Sequence, residues 1–235
     1  MPLFNAAIGL TQGSIGSTPP SSTVRVAAVQ CSSVLGDVED NQKKLVGLVE
    51  EAAKHGAKIV VLPEASITGY LSQDAKTNWR LDGRPIESCF DGKDPEPYAQ
   101  GVPGPSTTLF GALGKKLGIY VTVPFVEKEP PKQGGEPKYF NSVCLAAPTG
   151  KIVAHYRKLT PWPFPEKSWA TPGDRGVQVY DTKYGRVGLA ICFDIHTILE
   201  KLKPKNIYTQ LPKKAGEVDC FAKLIAKPRA KIGII

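Results

Sequence analysis

The stretch Arg186-Val-Gly-Leu-Ala-Ile-Cys-Phe-Asp194 delivers a cysteine to the end of an apolar run, where it could act as a nucleophile. Val187, Leu189, Ala190 and Ile191 suit a buried strand, bounded behind by Tyr184-Gly185, and Asp194 can cap a helix beginning near Ile195. Cys192 then stands at a strand-to-helix turn, where the first amides of the helix favour a thiolate and any oxyanion formed beside it. Two further polar residues fall at strand ends. Glu64 follows Pro63 directly after Lys58-Ile-Val-Val-Leu62, which puts a carboxylate at the carboxyl end of a strand, where α/β sheets usually carry their chemistry. Lys158 lies just past the run Lys151–Tyr156. Each of the three has an ordinary alternative on its own: a free cysteine packs as a small hydrophobe, and single glutamates and lysines are mostly solvated charges. The case for a site rests on the three settings together.

The elements that must bring these residues together alternate through the first half of the chain. Val24–Gln30 is a β-branched apolar run suited to a buried strand. A helix from about Asp40 to His55 follows, with Leu45, Leu48, Val49, Ala52 and Ala53 recurring at three and four and Gly56 as its stop. Lys58–Leu62 closes a β-α-β unit, parallel and right-handed. From Leu71 to Pro105 the sequence turns polar and rich in Pro, Gly and Asp, a surface excursion near Glu64 that suits a lid or substrate-selecting wall as well as it suits a decorative loop. A second helix spans Ser106–Leu117, with Leu109, Phe110, Leu113 and Leu117 on one face and Gly118 as the stop, and Ile119–Val126 is again a strand.

Hairpins follow. Tyr139–Ala147 and Lys151–Tyr156 turn about Thr149-Gly150, and Val177–Asp181 and Arg186–Ile191 turn about Lys183-Tyr184-Gly185. Between them Leu159–Gly176, with four prolines, two tryptophans and Glu166, reads as an ordered, nonrepetitive loop.

Composition narrows the class. At 235 residues one domain with one sizeable core is expected, and nothing suggests pervasive disorder or a membrane span. The five cysteines (31, 89, 144, 192, 220) are odd in number, widely spaced and without a C-x-x-C pair, so neither a disulfide framework nor a zinc site is indicated and a reducing, cytoplasmic setting is expected. No N-x-S/T sequon occurs, in keeping with that setting. Residues 1–23 are rich in Gly, Ser, Thr and Pro, fit a signal peptide poorly and read as a flexible leader. The net charge is +8, yet residues 201–235 contribute +7 of it and residues 1–200 only +1. The body is therefore nearly neutral, and a nucleic-acid partner would rest on a tail that shows no aromatic interleaving.

Taken together, Val60-Val-Leu-Pro-Glu-Ala65, His155-Tyr-Arg-Lys-Leu159 and Gly188-Leu-Ala-Ile-Cys-Phe-Asp194 resemble the three signature blocks of the nitrilase, or carbon–nitrogen hydrolase, superfamily, in the right order and at compatible separations. The resemblance covers about Val24 to Leu202 and extends to Tyr139-Phe-Asn-Ser142 and Pro172-Gly-Asp174. It implies an α/β fold, the four-layer α-β-β-α sandwich. It also implies that Cys192 is the nucleophile, Glu64 the general base and Lys158 the cation beside the developing oxyanion, with no metal or organic cofactor. The Phe193 amide would be a second oxyanion donor, and Glu166 resembles the family's second glutamate, which orients substrate and the lysine. Lys-Leu-Thr-Pro-Trp with Glu166 is similar to the aliphatic-amidase branch, whereas Cys-Phe-Asp-Ile and Tyr-Phe-Asn-Ser are similar to the biotinidase and pantetheinase branch. Nitrilases proper usually carry Trp-Glu after the cysteine, so Phe193-Asp194 points to an amidase acting on a small linear amide, as a homo-oligomer by family resemblance. A papain-like Cys/His enzyme would need His155 or His196 as base, and neither lies in that family's local pattern.

After Cys192 the text changes. Thr197–Leu202 reads as a short helix and Asn206-Ile-Tyr208 begins like a strand, which Gln210-Leu-Pro-Lys-Lys214 breaks. The family ordinarily continues further, so the ending reads as altered or truncated. The expected organisation is a leader at 1–23, a hydrolase domain at 24–203 and an atypical basic tail at 204–235, with a catalytically weak chain acting as an interaction subunit as the second reading.

Overall fold

The computed structural model describes residues 24–71, 95–131, 134–162, 166, 169–177 and 179–194, together with short strands at 7–10, 80–81, 84–85 and 230–233. In chain order the elements are β1 (Ala7–Leu10), β2 (Val26–Gln30), α1 (Val38–Lys54), β3 (Ile59–Val61), β4 (Arg80–Leu81), β5 (Arg84–Pro85), α2 (Pro105–Leu117), β6 (Tyr120–Glu129), β7 (Lys138–Ala146), β8 (Ile152–Arg157), β9 (Val179–Thr182), β10 (Gly185–Gly188) and β11 (Ala230–Gly233).

Helix α1 starts two residues earlier than its apolar periodicity suggests because Asp37 caps it, accepting from the Asp40 amide at 3.3 Å, and it ends as expected before Gly56, which turns to a φ of 87°. Its buried face is Asn41, Leu45, Val49 and Ala52. Helix α2 begins with Pro105 at its first position, where the missing N–H costs nothing, and ends on Gly118 at φ 66°.

One mixed sheet runs in the order β1-β2-β3-β6-β7-β8. Strands β2, β3 and β6 are parallel, linked by the two helices, and β6, β7 and β8 form an antiparallel meander. Strand β1, within the stretch read as a leader, pairs antiparallel with β2. A second sheet, β11-β10-β9, contains the last expected hairpin, and its β11 falls within the stretch read as a tail.

The period-two alternation of the strands divides the core. Ala27, Val29, Val121, Val123, Phe125, Cys144 and Ala146 face α1 and α2, where they meet Leu45, Val49, Phe110 and Leu113. Their neighbours Ile59, Tyr120, Val143, Leu145, Ala154 and Tyr156 face the other way, onto Val187, Leu189 and Ile191. Both faces of the central sheet are covered, which is why its strands read as continuous apolar runs. The α/β fold is that of the expected sandwich, with helix, sheet and sheet layers among the described residues. The helix expected from Thr197, most of the 71–105 excursion and most of the 204–235 segment lie outside the described residues. Among the described residues no helix is long and apolar enough to cross a membrane.

One strand is shorter than its apolar run. Arg186–Ile191 was expected to pair throughout, but β10 ends at Gly188, and Leu189, Ala190 and Ile191 stay buried while the backbone turns away toward Cys192.

Candidate active site

Glu64 sits three residues past β3, on a turn closed by the Ser66 amide donating to the Pro63 carbonyl at 3.1 Å. Lys158 follows β8, and its backbone is pinned from both sides: its amide donates to the Asn141 carbonyl at 2.8 Å, and its carbonyl accepts from the Gly173 amide at 2.8 Å. A side chain at position 173 would collide with the Arg157 and Lys158 carbonyls, so only glycine lets this loop lie directly on the chain that carries Lys158. Cys192 follows the buried Leu189-Ala-Ile191 segment on a turn closed by the Asp194 amide donating to the Ile191 carbonyl at 3.0 Å. The only two non-glycine residues with positive φ among those described are Ala65 at 49°, next to Glu64, and Cys192 itself at 43°. Strained backbone of this kind persists where surrounding structure over-determines it.

These three segments converge. The Lys158 ammonium, 1 % exposed, donates to Glu64 Oε1 at 2.7 Å and to Glu166 Oε2 at 2.7 Å. Asn141 bridges the same carboxylates, its Nδ2 donating to Glu64 Oε1 at 2.7 Å and to Glu166 Oε1 at 2.5 Å. Glu166 is wholly buried and also accepts from the Trp162 amide at 2.5 Å. Burial by itself would make Lys158 easier to deprotonate, but the two carboxylates outweigh it and hold the ammonium above its ordinary range.

Cys192 is exposed, and its thiol hydrogen-bonds to the Glu64 carboxylate. Partial desolvation of the sulfur, then the negative charge of Glu64, raise its pKa despite the opposing pull of Lys158. These causes run against the thiolate that helix amides were expected to favour. The Tyr70 phenol is likewise held neutral, by burial first and then by Glu166, Glu64 and Cys192. Phe193 follows Cys192 directly and is half-buried.

The sequence-derived residues Glu64, Lys158, Glu166 and Cys192 are thus brought together. His155, the alternative base, is turned instead toward Glu127 at 2.7 Å, and His196 lies outside the described residues. Sequence reasoning assigned no role to Asn141 or Tyr70. The Tyr139-Phe-Asn-Ser142 stretch did signal Asn141, because a polar residue in the middle of a buried strand needs a partner. Asp194 was read as a helix cap for residues that lie outside those described, and its carboxylate accepts from the Tyr156 hydroxyl and from the Thr160 and Ile191 amides. Among the described residues no three His, Cys, Asp or Glu side chains are grouped to hold a metal ion, and the carboxylates of Glu64 and Glu166 are bridged by the ammonium and the amide.

A second buried network lies behind Lys158. The Arg157 guanidinium packs 3.8 Å from the centre of the Phe140 ring and reaches Glu127, Glu129 and Asp174. Glu127 also accepts from Ser142 at 2.6 Å. Burial alone would raise the Glu127 carboxyl, but hydrogen bonds from His155, Arg157 and Ser142 bring it down to about 2 from an ordinary 4.5. Since its folded pKa lies below its unfolded one, its contribution is complete above about pH 4.5 and disappears as pH falls toward 2. That contribution is on the order of 3 kcal/mol. Urea unfolding at stepped pH should show a steep acid loss in the native chain and a shallower one in Glu127→Gln, and equal slopes would remove Glu127 from the account.

A model of the family described as "Carbon-nitrogen hydrolase" matches residues 25–204. The nitrilase of Pyrococcus abyssi is 33% identical over 172 residues, 73% of this chain and 56% of that protein. Among solved structures, the Saccharomyces cerevisiae member of branch 10 of the nitrilase superfamily matches with a TM-score of 0.57 at 26% identity, covering 76% of this chain and 59% of that one. A Nesterenkonia amidase of the nitrilase superfamily shares the fold, with a TM-score of 0.56 at 18% identity over 80% of this chain and 62% of its own. The chain spans about half the length of the curated relatives it matches.

Proposed function

The chain belongs to the carbon–nitrogen hydrolase family, and on that premise we propose that it hydrolyses a small linear amide through a thioester on Cys192. The observation that carries this reading is the convergence of Lys158, Glu64 and the Cys192 thiol in one cluster. As Sγ attacks the carbonyl carbon, the thiol proton passes to Glu64 and the C=O electron pair moves onto oxygen. Lys158 and the Phe193 amide stabilise that oxyanion. Asn141 and Lys158 both donate to Glu64 Oε1, so Oε2 is the oxygen suited to take the thiol proton. Collapse of the adduct breaks the C–N bond, and the amine leaves with the proton that Glu64 held. Water then attacks the thioester, giving up a proton to Glu64, and the acid and the thiol are released. Glu166 and Asn141 hold Lys158 and Glu64 in place.

Nitrile hydrolysis is the second reading, favoured by the name of the Pyrococcus relative. It passes through a thioimidate to the same thioester, so one site could serve either bond. Phe193-Asp194 after the nucleophile, where nitrilases carry Trp-Glu, favours the amide. The test is a panel of aliphatic amides, pantetheine, biotinyl amides and nitriles on the purified chain, read by release of ammonia or amine and by the mass of any adduct on Cys192. Turnover of nitriles alone would replace the amide reading, and neither turnover nor an adduct would remove both.

A further inference from the structure

We propose that Asp194 is a positioning residue that sets the separation of Lys158 from Cys192, because one buried carboxylate grips the chain on both sides of the lysine and just before the cysteine. The inference rests on the reaction proposed above. Asp194 is 0 % exposed. Its Oδ2 accepts from the Tyr156 hydroxyl at 2.6 Å and from the Ile191 amide at 3.2 Å, and its Oδ1 accepts from the Thr160 amide at 2.8 Å. Tyr156 and Thr160 stand two residues before and two after Lys158, and Ile191 immediately precedes Cys192.

No other contact described ties these two segments so directly. The lysine side chain itself is aimed at Glu64 and Glu166, and the cysteine is held at a strained φ of 43° by a turn whose closing bond is the Asp194 amide to the Ile191 carbonyl. Asp194 therefore closes the cysteine turn with its backbone and fastens that turn to the lysine segment with its side chain. A carboxylate is needed because all three partners are donors. An asparagine presents one oxygen and one NH2 group, so in either orientation it sets a donor against a backbone N–H, whereas the Tyr156 hydroxyl alone could reverse its role.

The test uses the full chain with Asp194→Asn and Tyr156→Phe, the latter removing one donor and leaving the carboxylate. Competent sites are counted by the acyl adduct on Cys192. For Asp194→Asn, kcat per competent site should fall about tenfold to a hundredfold, with KM within about twofold of the native value. Tyr156→Phe should show a smaller loss in the same direction. A carboxylate with a merely structural role would lower the melting temperature and the number of competent sites and leave kcat per site unchanged, and that result would overturn the proposal.

A second readout does not depend on turnover. Alkylation of Cys192 by iodoacetamide, followed by mass spectrometry across pH, should show an inflection above that of an ordinary thiol in the native chain. In Asp194→Asn it should move down as the sulfur leaves Glu64. If no amide or nitrile is turned over, the proposed reaction fails while this inflection still decides the role of Asp194. If Asp194→Asn does not fold, the Tyr156→Phe inflection decides it, and an unmoved one overturns the proposal.

Discussion

Replacing Cys192 with alanine should reduce turnover at least about 10⁴-fold, because a covalent route loses its only nucleophile and the remaining groups can offer binding and charge stabilisation alone. The protein itself should be nearly as stable as before. Cys192 is exposed and packs into no core cluster, so the substitution opens no cavity. Cys192→Ser should fall almost as far. The hydroxyl is much harder to ionise than the thiol, whose own ionisation desolvation and then Glu64 already oppose. A brief pulse with a turned-over amide, followed by peptide mapping, should place the acyl group on Cys192. A label on Cys31 or buried Cys144 with Cys192 unmodified would reject the assignment.

The second large effect is expected at Lys158, where catalysis and stability should fail together. Its ammonium stands between Glu64 and Glu166 at 2.7 Å from each, in a place with almost no water. Lys158→Ala leaves two neighbouring carboxylates without their cation. Removing one member of a buried charge set costs about 3–5 kcal/mol, and loss of a preorganised oxyanion donor costs about 10²–10³-fold in kcat. The two losses can be separated. Lys158→Met with Glu166→Gln removes the cation and one charge at once, so urea unfolding should recover much of the stability while turnover stays low. Recovery of activity in that double variant would show that Lys158 serves the fold and not the reaction.

The segments of the site were legible one at a time because each is written in local physics. Apolar runs ending in Pro63-Glu64 and in Arg157-Lys158 mark strand ends whatever the rest of the chain does, whereas the run to Ile191-Cys192 outlasts its strand by three residues. The β-α-β unit and α2 were likewise set by periodicity and by the stops Gly56 and Gly118, which act over one turn of chain, while the Asp37 cap that starts α1 earlier was not read. What escaped were features defined by contact across long separations. Asn141 joins Glu64 to Glu166, residues 77 and 25 positions away, and no local pattern states that pairing. Asp194 shows the same limit from the other side. It has the local look of a cap, and nothing local announces that the Thr160 amide and the Tyr156 hydroxyl also reach it.

The sequence alone determined which residue types stand at which strand ends and on which face each apolar side chain must lie, since alternation by two and by three or four is a property of the backbone itself. Only the packed structure decided the direction in which the Cys192 thiol shifts. A local view weighs the helix amides near the sulfur, but the sign of its shift depends on desolvation and on a carboxylate brought from residue 64, both of which exist only once the sheets have closed.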